Sequence, residues 1–374
     1  MPVHFCFLTI GTFSENAMMK RVAGLAPHLI TAGHRVTIVA QDTAENRDYF
    51  APVDGANRIF LPVSGVLSEV RQKARIVREQ SPNVVYACGW GIRNLAALVG
   101  SITVVEHAEL LSKNHESSAL QRQKNLLLEW MSILFAEGLV LASQYLYDTY
   151  ERRGVFGLTE KLRLPYGLFL ETEAADGPVT NGPGTRVSKQ GTTRVLYMGS
   201  LYSSLGIFKI IRSIPYIIDT EEEVEYVILG DGPDRKSAIE LAESLGVSDH
   251  IQFEGYVDDA VLDDYLSSAD VFLAPMFDTV KDKARCPSKI PMYMCHRKPI
   301  VTCRVGEAPR YLGENGFYYT PGDPQSMARQ IVRASRRQDP VDYDLQSVSW
   351  KHLASRFLRW VENDLDVVKK KREP

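Results

Sequence analysis

Short apolar runs alternate with longer amphipathic stretches along the chain. Val3–Ile10 (VHFCFLTI) is a run of the first kind, and such runs fit a strand buried on both faces of a parallel sheet. After Gly11-Thr12-Phe13-Ser14-Glu15-Asn16, apolar Met18, Val22, Leu25, Leu29 and Ile30 recur at helical spacing up to Gly33. Arg35–Ala40 (RVTIVA) reads as a second buried strand, which completes a strand–loop–helix–strand unit of about 40 residues. The pattern then predicts a charged surface helix over Leu67–Gln80, a strand over Val84–Ala87, a short helix over Leu95–Val99 and a strand over Ile102–Val105. A long helix over Leu120–Ala136, a strand over Leu139–Ala142 and a helix over Tyr145–Arg152 follow. Strands separated by helices argue for a doubly wound sheet.

The pattern breaks after Leu164. Glu171–Thr192 is rich in Gly, Pro, Ser and Thr and reads as a surface loop or interdomain linker. Alternation then restarts, with strands over Val195–Met198, Val224–Leu229, Ile251–Phe253, Val271–Pro275, Pro299–Cys303 and Phe317–Tyr319. The intervening helices are read at Ile207–Ile218, Arg235–Leu245, Val261–Ser268, around Ile290–Cys295, and at Asp323–Arg337, where Asp323 caps the start. The tail Trp350–Arg372 is amphipathic, with Leu353, Phe357, Trp360 and Val361 on one face. The expected organisation is therefore two Rossmann-like α/β domains, 1–168 and 193–349, joined by a linker over 169–192. Helix 350–374 is expected to pack back on the first domain.

At 374 residues the chain has room for two or three domains, and its 45% apolar and 24% charged residues exclude a disordered or disulfide-stapled chain. A net charge of −3 argues against nucleic-acid binding through bulk positive charge. Uncharged stretches such as Met1–Ser14 and Val195–Phe208 fall short of the ~20 apolar residues of a membrane span. The N-terminus lacks a basic region and a small-residue cleavage site, so a secretory leader is not expected. Five scattered cysteines without a CxxC pair read as free thiols in a reducing compartment, with no zinc site.

Ligands of open α/β sheets bind at the loops after the strands, so those loops hold the candidate chemistry. Gly11 and Thr12 open the first, where a backbone can approach an anion or the chain can make a simple βα turn. His107 follows a buried strand and could exchange a hydrogen bond or proton near neutral pH, or else be a structural histidine. Gly230-Asp231-Gly232-Pro233 is a glycine turn between strand and helix, which turn chemistry alone can also explain. Asp278–Lys289 gathers Lys281, Lys283, Arg285 and Lys289 beside a helix start, a suitable diphosphate site or else a solvated charged loop. The pairs Asp342/Asp344 and Asp364/Asp366 have D-x-D spacing but follow no buried strand and read as surface. GxxxxGK[ST], HExxH and GxSxG are absent from the sequence.

Several segments resemble the family 4 retaining glycosyltransferases of the GT-B fold: Val195–Gly206 (VLYMGSLYSSLG), Val227–Pro233 (VILGDGP), Ile251–Val257 (IQFEGYV) and Pro287–Val301 (PSKIPMYMCHRKPIV). Gly33-His34-Arg35-Val36 and Leu164-Pro165-Tyr166-Gly167 resemble that family's first domain. The resemblance implies two Rossmann-like domains facing a cleft. It implies sugar transfer from a nucleotide diphosphate-sugar, such as a UDP- or GDP-sugar, to a glycan or glycoconjugate with retention, and no permanently bound cofactor or metal. It implies a catalytic role for His107 and donor contacts from Gly11, Thr12, Ser200, Gly230, Asp231, Gly232, Tyr256, Val257, Arg285, Ser288, Lys289 and Met292. A cytoplasmic chain with at most peripheral membrane contact, at the inner face, is the matching expectation, with a partner glycosyltransferase as a further one.

The departures from the family are specific. Its E-x7-E pair falls on Ala284 and Met292, its Arg on Ser200 and its Lys on Leu205. Met292 cannot accept bonds from ribose hydroxyls. Arg285 and Lys289 could replace the cations. Three readings stay open: an active transferase, a non-catalytic relative that binds a partner or acceptor, and a nucleotide-sugar epimerase.

Overall fold

The computed structural model describes residues 2–13, 18–114, 117–154, 159–170, 191–218 and 223–365. Most of the linker read over Glu171–Thr192, the loop residues Ser14–Asn16, and Asp366 and the tail beyond it lie outside them. Two compact units result: Met1–Phe169 with Lys283–Cys286 and Gln346–Pro374, and Leu170–Asp282 with Pro287–Leu345.

The first unit holds β1 (His4–Leu8), α1 (Met19–Thr31), β2 (Arg35–Gln41), α2 (Ala44–Phe50), β3 (Asn57–Leu61), α3 (Val66–Gln80), β4 (Val84–Ala87), β5 (Thr103–His107), α4 (Ala119–Phe135), β6 (Gly138–Leu141), α5 (Gln144–Arg153) and β7 (Glu160–Arg163). The second holds β8 (Thr193–Met198), α6 (Ile207–Ile218), β9 (Val224–Leu229), α7 (Arg235–Ser244), β10 (Ile251–Gly255), α8 (Asp259–Ser268), β11 (Val271–Ala274), α9 (Val280–Ala284), α10 (Lys289–Cys295), β12 (Ile300–Thr302), α11 (Ala308–Leu312), β13 (Phe317–Tyr318) and α12 (Pro324–Ser335), with α9 ending in the segment assigned to the first. The chain ends in α13 (Trp350–Asn363).

The sheets run β3-β2-β1-β4-β5-β6-β7 and β10-β9-β8-β11-β12-β13, and their ladders are parallel. Each begins with the doubly wound order 3-2-1-4-5-6. The central strands are buried along their whole length, as their unbroken apolar runs predict. The sequence reading missed β3, β7, α2, α9 and α11. The first two are edge strands with half-exposed or exposed residues (NRIFL and EKLR), so neither carries a continuous apolar run. The three helices are of five to seven residues, too short for a periodic stripe. The expected helix at Leu95–Val99 is a 3-10 stretch over Ile92–Val99.

Helix α13 packs on the first unit. Trp350 lies where a Cβ on Gly24 would stand 2.2 Å from its ring, and Trp360 covers Gly138 in the same way at 2.5 Å. Phe357 meets Phe5 and Tyr86 at 5.9 Å. The Trp350 amide donates to the Leu168 carbonyl at 2.9 Å. Each of these buried rings is worth roughly 1.5–3 kcal/mol of apolar burial, so the tail is part of the first core.

Candidate functional site

In the second unit the strand order reverses between β8 and β11, the place where doubly wound sheets bind ligands. The chain leaves β8 through Gly199 at φ +149, makes a tight turn over Ser203–Leu205, and enters α6 through Gly206 at φ +98. At the start of α6 the Lys209 and Ile210 amides both donate to Gly206 O, at 2.9 and 3.1 Å. The loop is locked to its neighbour after β9. Gly199 N donates to Leu229 O at 2.9 Å, Leu201 N to Asp231 O at 2.9 Å, and Asp234 N to Leu201 O at 3.1 Å. Ser203 N donates to the Asp234 carboxylate at 2.6 Å.

Gly230 and Gly232 earn their place through this contact. A Cβ on Gly230 would stand 2.2 Å from the Gly199 carbonyl oxygen, and one on Gly232 2.6 Å from that of Leu201. The close approach anticipated there is thus made by the neighbouring loop. Asp231 stays exposed and accepts from Gly232 N at 2.7 Å.

Lys289 opens α10 and reaches this double loop. Its Nζ sits 4.2 Å from the centre of the Tyr197 ring on β8, and a Cβ on Gly199 would be 2.7 Å from it. The Tyr197 hydroxyl donates to Ser200 O at 3.3 Å. Helix α10 is held there by Tyr293, which stacks on Phe272 at 4.3 Å and accepts from Met198 N at 2.9 Å. One cation is thereby placed at the Gly199–Ser200 backbone, where Ser200 itself offers none. Ser288 and Met292 are half-buried, Met292 lying one turn after Lys289. Tyr256, 80% exposed, and half-buried Val257 follow β10, which Arg235 tethers through Phe253 O at 3.2 Å.

The region read as the loop Asp278–Lys289 contains α9. Buried Asp282 turns it by accepting from Phe277 N at 2.6 Å. Ala284 is fully buried. Arg285 falls in the segment that clusters with the first unit, where Cys286 Sγ accepts from Tyr166 N at 3.2 Å. Lys289, four positions later, falls in the second unit. Leu205 is half-buried in the turn before α6.

In the first unit, Gly11 sits at φ +72, and Asn46 of α2 fastens its loop, donating to Gly11 O and Gln41 O and accepting from Phe13 N, all near 3 Å. Thr12 is half-buried in that loop. Beneath it lies a charged cluster. Lys73 donates to Thr9 O at 2.6 Å and Asn94 Oδ1 at 3.0 Å, and pairs with Glu69, which also meets Arg93 and Gln41. Burial raises the Glu69 carboxyl, but the bonds from Lys73, Gln41 and Arg93 outweigh it and hold its pKa below the usual range. A second cluster joins Arg21 to Glu106 at 2.9 Å, to the carbonyls of Leu164 and Pro165, and to the Tyr166 face; Tyr86 donates to Glu106 at 2.9 Å.

His107 ends β5 and is 6% exposed. Nε2 bonds Ser132 at 2.8 Å and Nδ1 bonds Tyr150 at 3.0 Å. Burial, helped by nearby Arg153, pushes its pKa down to about 3, so the ring is neutral at pH 7. In this structure both ring nitrogens are engaged within the unit, a constraint that spacing alone did not suggest.

The residues missed from sequence are Arg21, Asn46, Glu69, Lys73, Asn94 and Glu106. A signal existed for two of them. Glu69 and Lys73 share the inner face of α3 with Ile76 and Val77, an i, i+4 ion pair in core-facing positions. Asp342 and Asp344 are exposed, and the described residues contain no group of three His, Cys, Asp or Glu suited to a metal.

Glycine-locked loops and the Lys289 ammonium thus meet at the switch point of the second sheet. Residues 192–337 match the family model of glycosyl transferases group 1. The chain is also 24% identical over 174 residues to the phosphatidylinositol N-acetylglucosaminyltransferase GPI3 subunit of Saccharomyces cerevisiae, a match that spans 45% of this chain and 36% of the yeast protein. Among solved structures it resembles Anabaena Alr3699/HepE in complex with UDP and glucose, with a TM-score of 0.68 and 16% identity over 99% of this chain and 98% of that one. It also resembles a putative UDP-N-acetylglucosamine 2-epimerase from Listeria monocytogenes, with a TM-score of 0.62 and 13% identity over 97% of each. At these identities the likeness is one of fold: the chain has the two-domain Rossmann-like architecture of GT-B glycosyltransferases.

Proposed function

We propose that the chain is a retaining glycosyltransferase that moves a sugar from a nucleotide diphosphate-sugar to a glycan or glycoconjugate acceptor. The observation that carries the reading is the seating of the Lys289 ammonium on Tyr197 beside Gly199, in the loop after β8. Departure of a nucleoside diphosphate builds negative charge, and a preorganised cation with free N–H groups stabilises it. Lys289 and the loop after β8 hold the diphosphate. Tyr256 and Val257 border the base, and Met292 lies at the ribose. No metal is required, because Lys289 and the α6 start neutralise the leaving group. UDP is the favoured nucleotide, since the similar Anabaena protein is described with UDP. His107, both of whose ring nitrogens are taken by Ser132 and Tyr150, acts as an uncharged positioning group at the end of β5. The acceptor belongs to the first unit, with Gly11 and Thr12 at its loops.

A second reading is a non-catalytic member of a complex. Met292 and Ala284 favour it, since neither can bind ribose or sugar hydroxyls, and the yeast relative is named as a subunit.

The test is thermal stabilisation of the full chain by UDP, GDP, ADP, TDP and CMP, followed by NMR of the anomeric configuration of the product formed from the responding donor. A nucleotide at about 100 times its dissociation constant adds roughly 2.7 kcal/mol. A response to one diphosphate and a product with retained configuration support the transferase. Silence across all five supports the non-catalytic reading, and release of a free epimerised sugar supports the epimerase.

A further inference from the structure

In the first unit the loops after β3 and β4 meet through Arg93. Its Nη1 bonds the Glu69 carboxylate and lies 3.5 Å from Ser64 O. Glu69, buried near the start of α3, is divided between partners. Oε1 pairs with Lys73 at 2.6 Å, and Oε2 accepts from Gln41 at 3.1 Å as well as from Arg93. Two cations thus share one carboxylate, which leaves one positive charge in surplus. Lys73 is buried and donates to Thr9 O and Asn94 Oδ1 as well. The Arg93 side chain is 30% exposed, and its Nε and Nη2 bond no described residue. The surplus charge therefore reaches the surface at Arg93.

Beside Arg93, α3 starts without a side-chain cap. Its N-cap Gly65 is exposed at φ −62, and a Cβ there would meet nothing within 4 Å. The opening amides of a helix have no partner within it, and here exposed Val66, Leu67 and Ser68 carry them. The Ser64 hydroxyl, one residue before the cap, is shielded from solvent and has no hydrogen-bond partner. A guanidinium edge, a hydroxyl and uncapped amides together suit an oxyanion. The local charge allows one. From Phe60 to Gln72 the charged residues are Glu69 and Arg71, and from Cys88 to Val99 Arg93 alone. The acids of the neighbouring loops are Asp42, bonded twice by Arg47, half-buried Glu45 in the first turn of α2, and exposed Glu109 after β5. Exposed Val63, Leu67 and Ile92 come from the same two segments as Ser64 and Arg93, so a carbon face suits the ligand as well as a charge.

We propose that Arg93, with Ser64 and the start of α3, binds an oxyanion, a phosphate or a carboxylate, carried by the sugar acceptor. The loops after β3 and β4 lie at the carboxyl end of the first sheet, where doubly wound sheets take their ligands. That the anion belongs to an acceptor rests on the proposed function, which gives the acceptor to this unit. The anion binding itself does not.

The test is calorimetric titration of the full chain with glucose 6-phosphate, glucuronate, glucose and inorganic phosphate, with UDP titrated in parallel. The wild type is expected to bind both anionic sugars at least about tenfold more tightly than glucose, the scale of a charged hydrogen bond. It should also bind them more tightly than inorganic phosphate. Arg93→Gln should erase the preference for the charged sugars. Gly65→Asp should erase it too, because the new carboxylate takes the α3 amides and repels the ligand. As a better N-cap, that substitution should leave the unfolding temperature at or above the wild-type value, which separates lost binding from lost folding. Anionic sugars that bind no better than glucose overturn the proposal, as do variants that keep the preference. Inorganic phosphate that binds as tightly as glucose 6-phosphate makes this a free-anion site and overturns the assignment to an acceptor. UDP binding, whichever way it falls, reports on the proposed function alone.

Discussion

The two sheets share a strand order, but the loops at their carboxyl ends are braced by opposite means. In the first unit, buried ion pairs and their neutral polar partners do the bracing from inside: Lys73 and Glu69 with Asn94 under β1, and Arg21 and Glu106 with Tyr86 under the end of β7. In the second, backbone braces backbone through Gly199, Gly230 and Gly232, and Lys289 lies against a tyrosine face beside Gly199. Charges satisfied inside a core stabilise a shape. A cation beside glycine backbone and a helix start remains suited to an incoming anion. The contrast gives the first set of charges scaffold work and makes Lys289 the residue on which the proposed ligand role is tested.

The largest effect is expected where a buried charge loses its partner. Arg21→Ala strands Glu106 in the core and should lower unfolding free energy by about 3–5 kcal/mol in a urea titration. A loss below about 1 kcal/mol would mean that the first unit is not braced by its charges. Next is Gly230→Ala. At φ +122 and 2.2 Å from the Gly199 carbonyl oxygen, the new methyl should cost at least about 2 kcal/mol and erase nucleotide stabilisation with it. An unaltered nucleotide response would separate the ligand site from the double loop.

Sequence and structure part company at particular residues. Val224–Leu229 and Ile207–Ile218 were legible to the residue, because a buried strand and a helix with one strongly apolar face write their periods plainly. Edge strand β7 was not, since EKLR is half solvated. In the site, Lys289 stood out as a cation before a helix, but its seat on Tyr197, 92 positions earlier in the chain, exists only after packing. Arg285, read beside it, falls in the short Lys283–Cys286 segment that clusters with the first unit, a grouping that only the folded chain shows. His107 was visible at a strand end, whereas its partners Ser132 and Tyr150 come from two separate helices.

A smaller effect concerns pH. Burial lowers the His107 pKa from 6.5 to about 3, so between those values the unfolded chain binds a proton that the native state does not. Stability should fall as pH drops below 6.5, with a slope of up to about 1.4 kcal/mol per pH unit from this residue. His107→Gln should flatten that slope in urea titrations at pH 5 and 7, and an unchanged slope would place the ring in contact with water. The smallest effect is a gain. If Met292 borders the ribose, Met292→Glu restores an acceptor there and should tighten UDP by about fivefold, the scale of one hydrogen bond. No change would move the ribose away from α10.

The central claim is that Lys289 and the loop after β8 bind a nucleoside diphosphate. Calorimetric titration of UDP into the wild-type chain and into Lys289→Ala tests it most directly. The account predicts binding by the wild type and a loss of at least about tenfold in the variant, from a charged hydrogen bond worth roughly 1.5–3 kcal/mol. Equal affinity in the two proteins would contradict it.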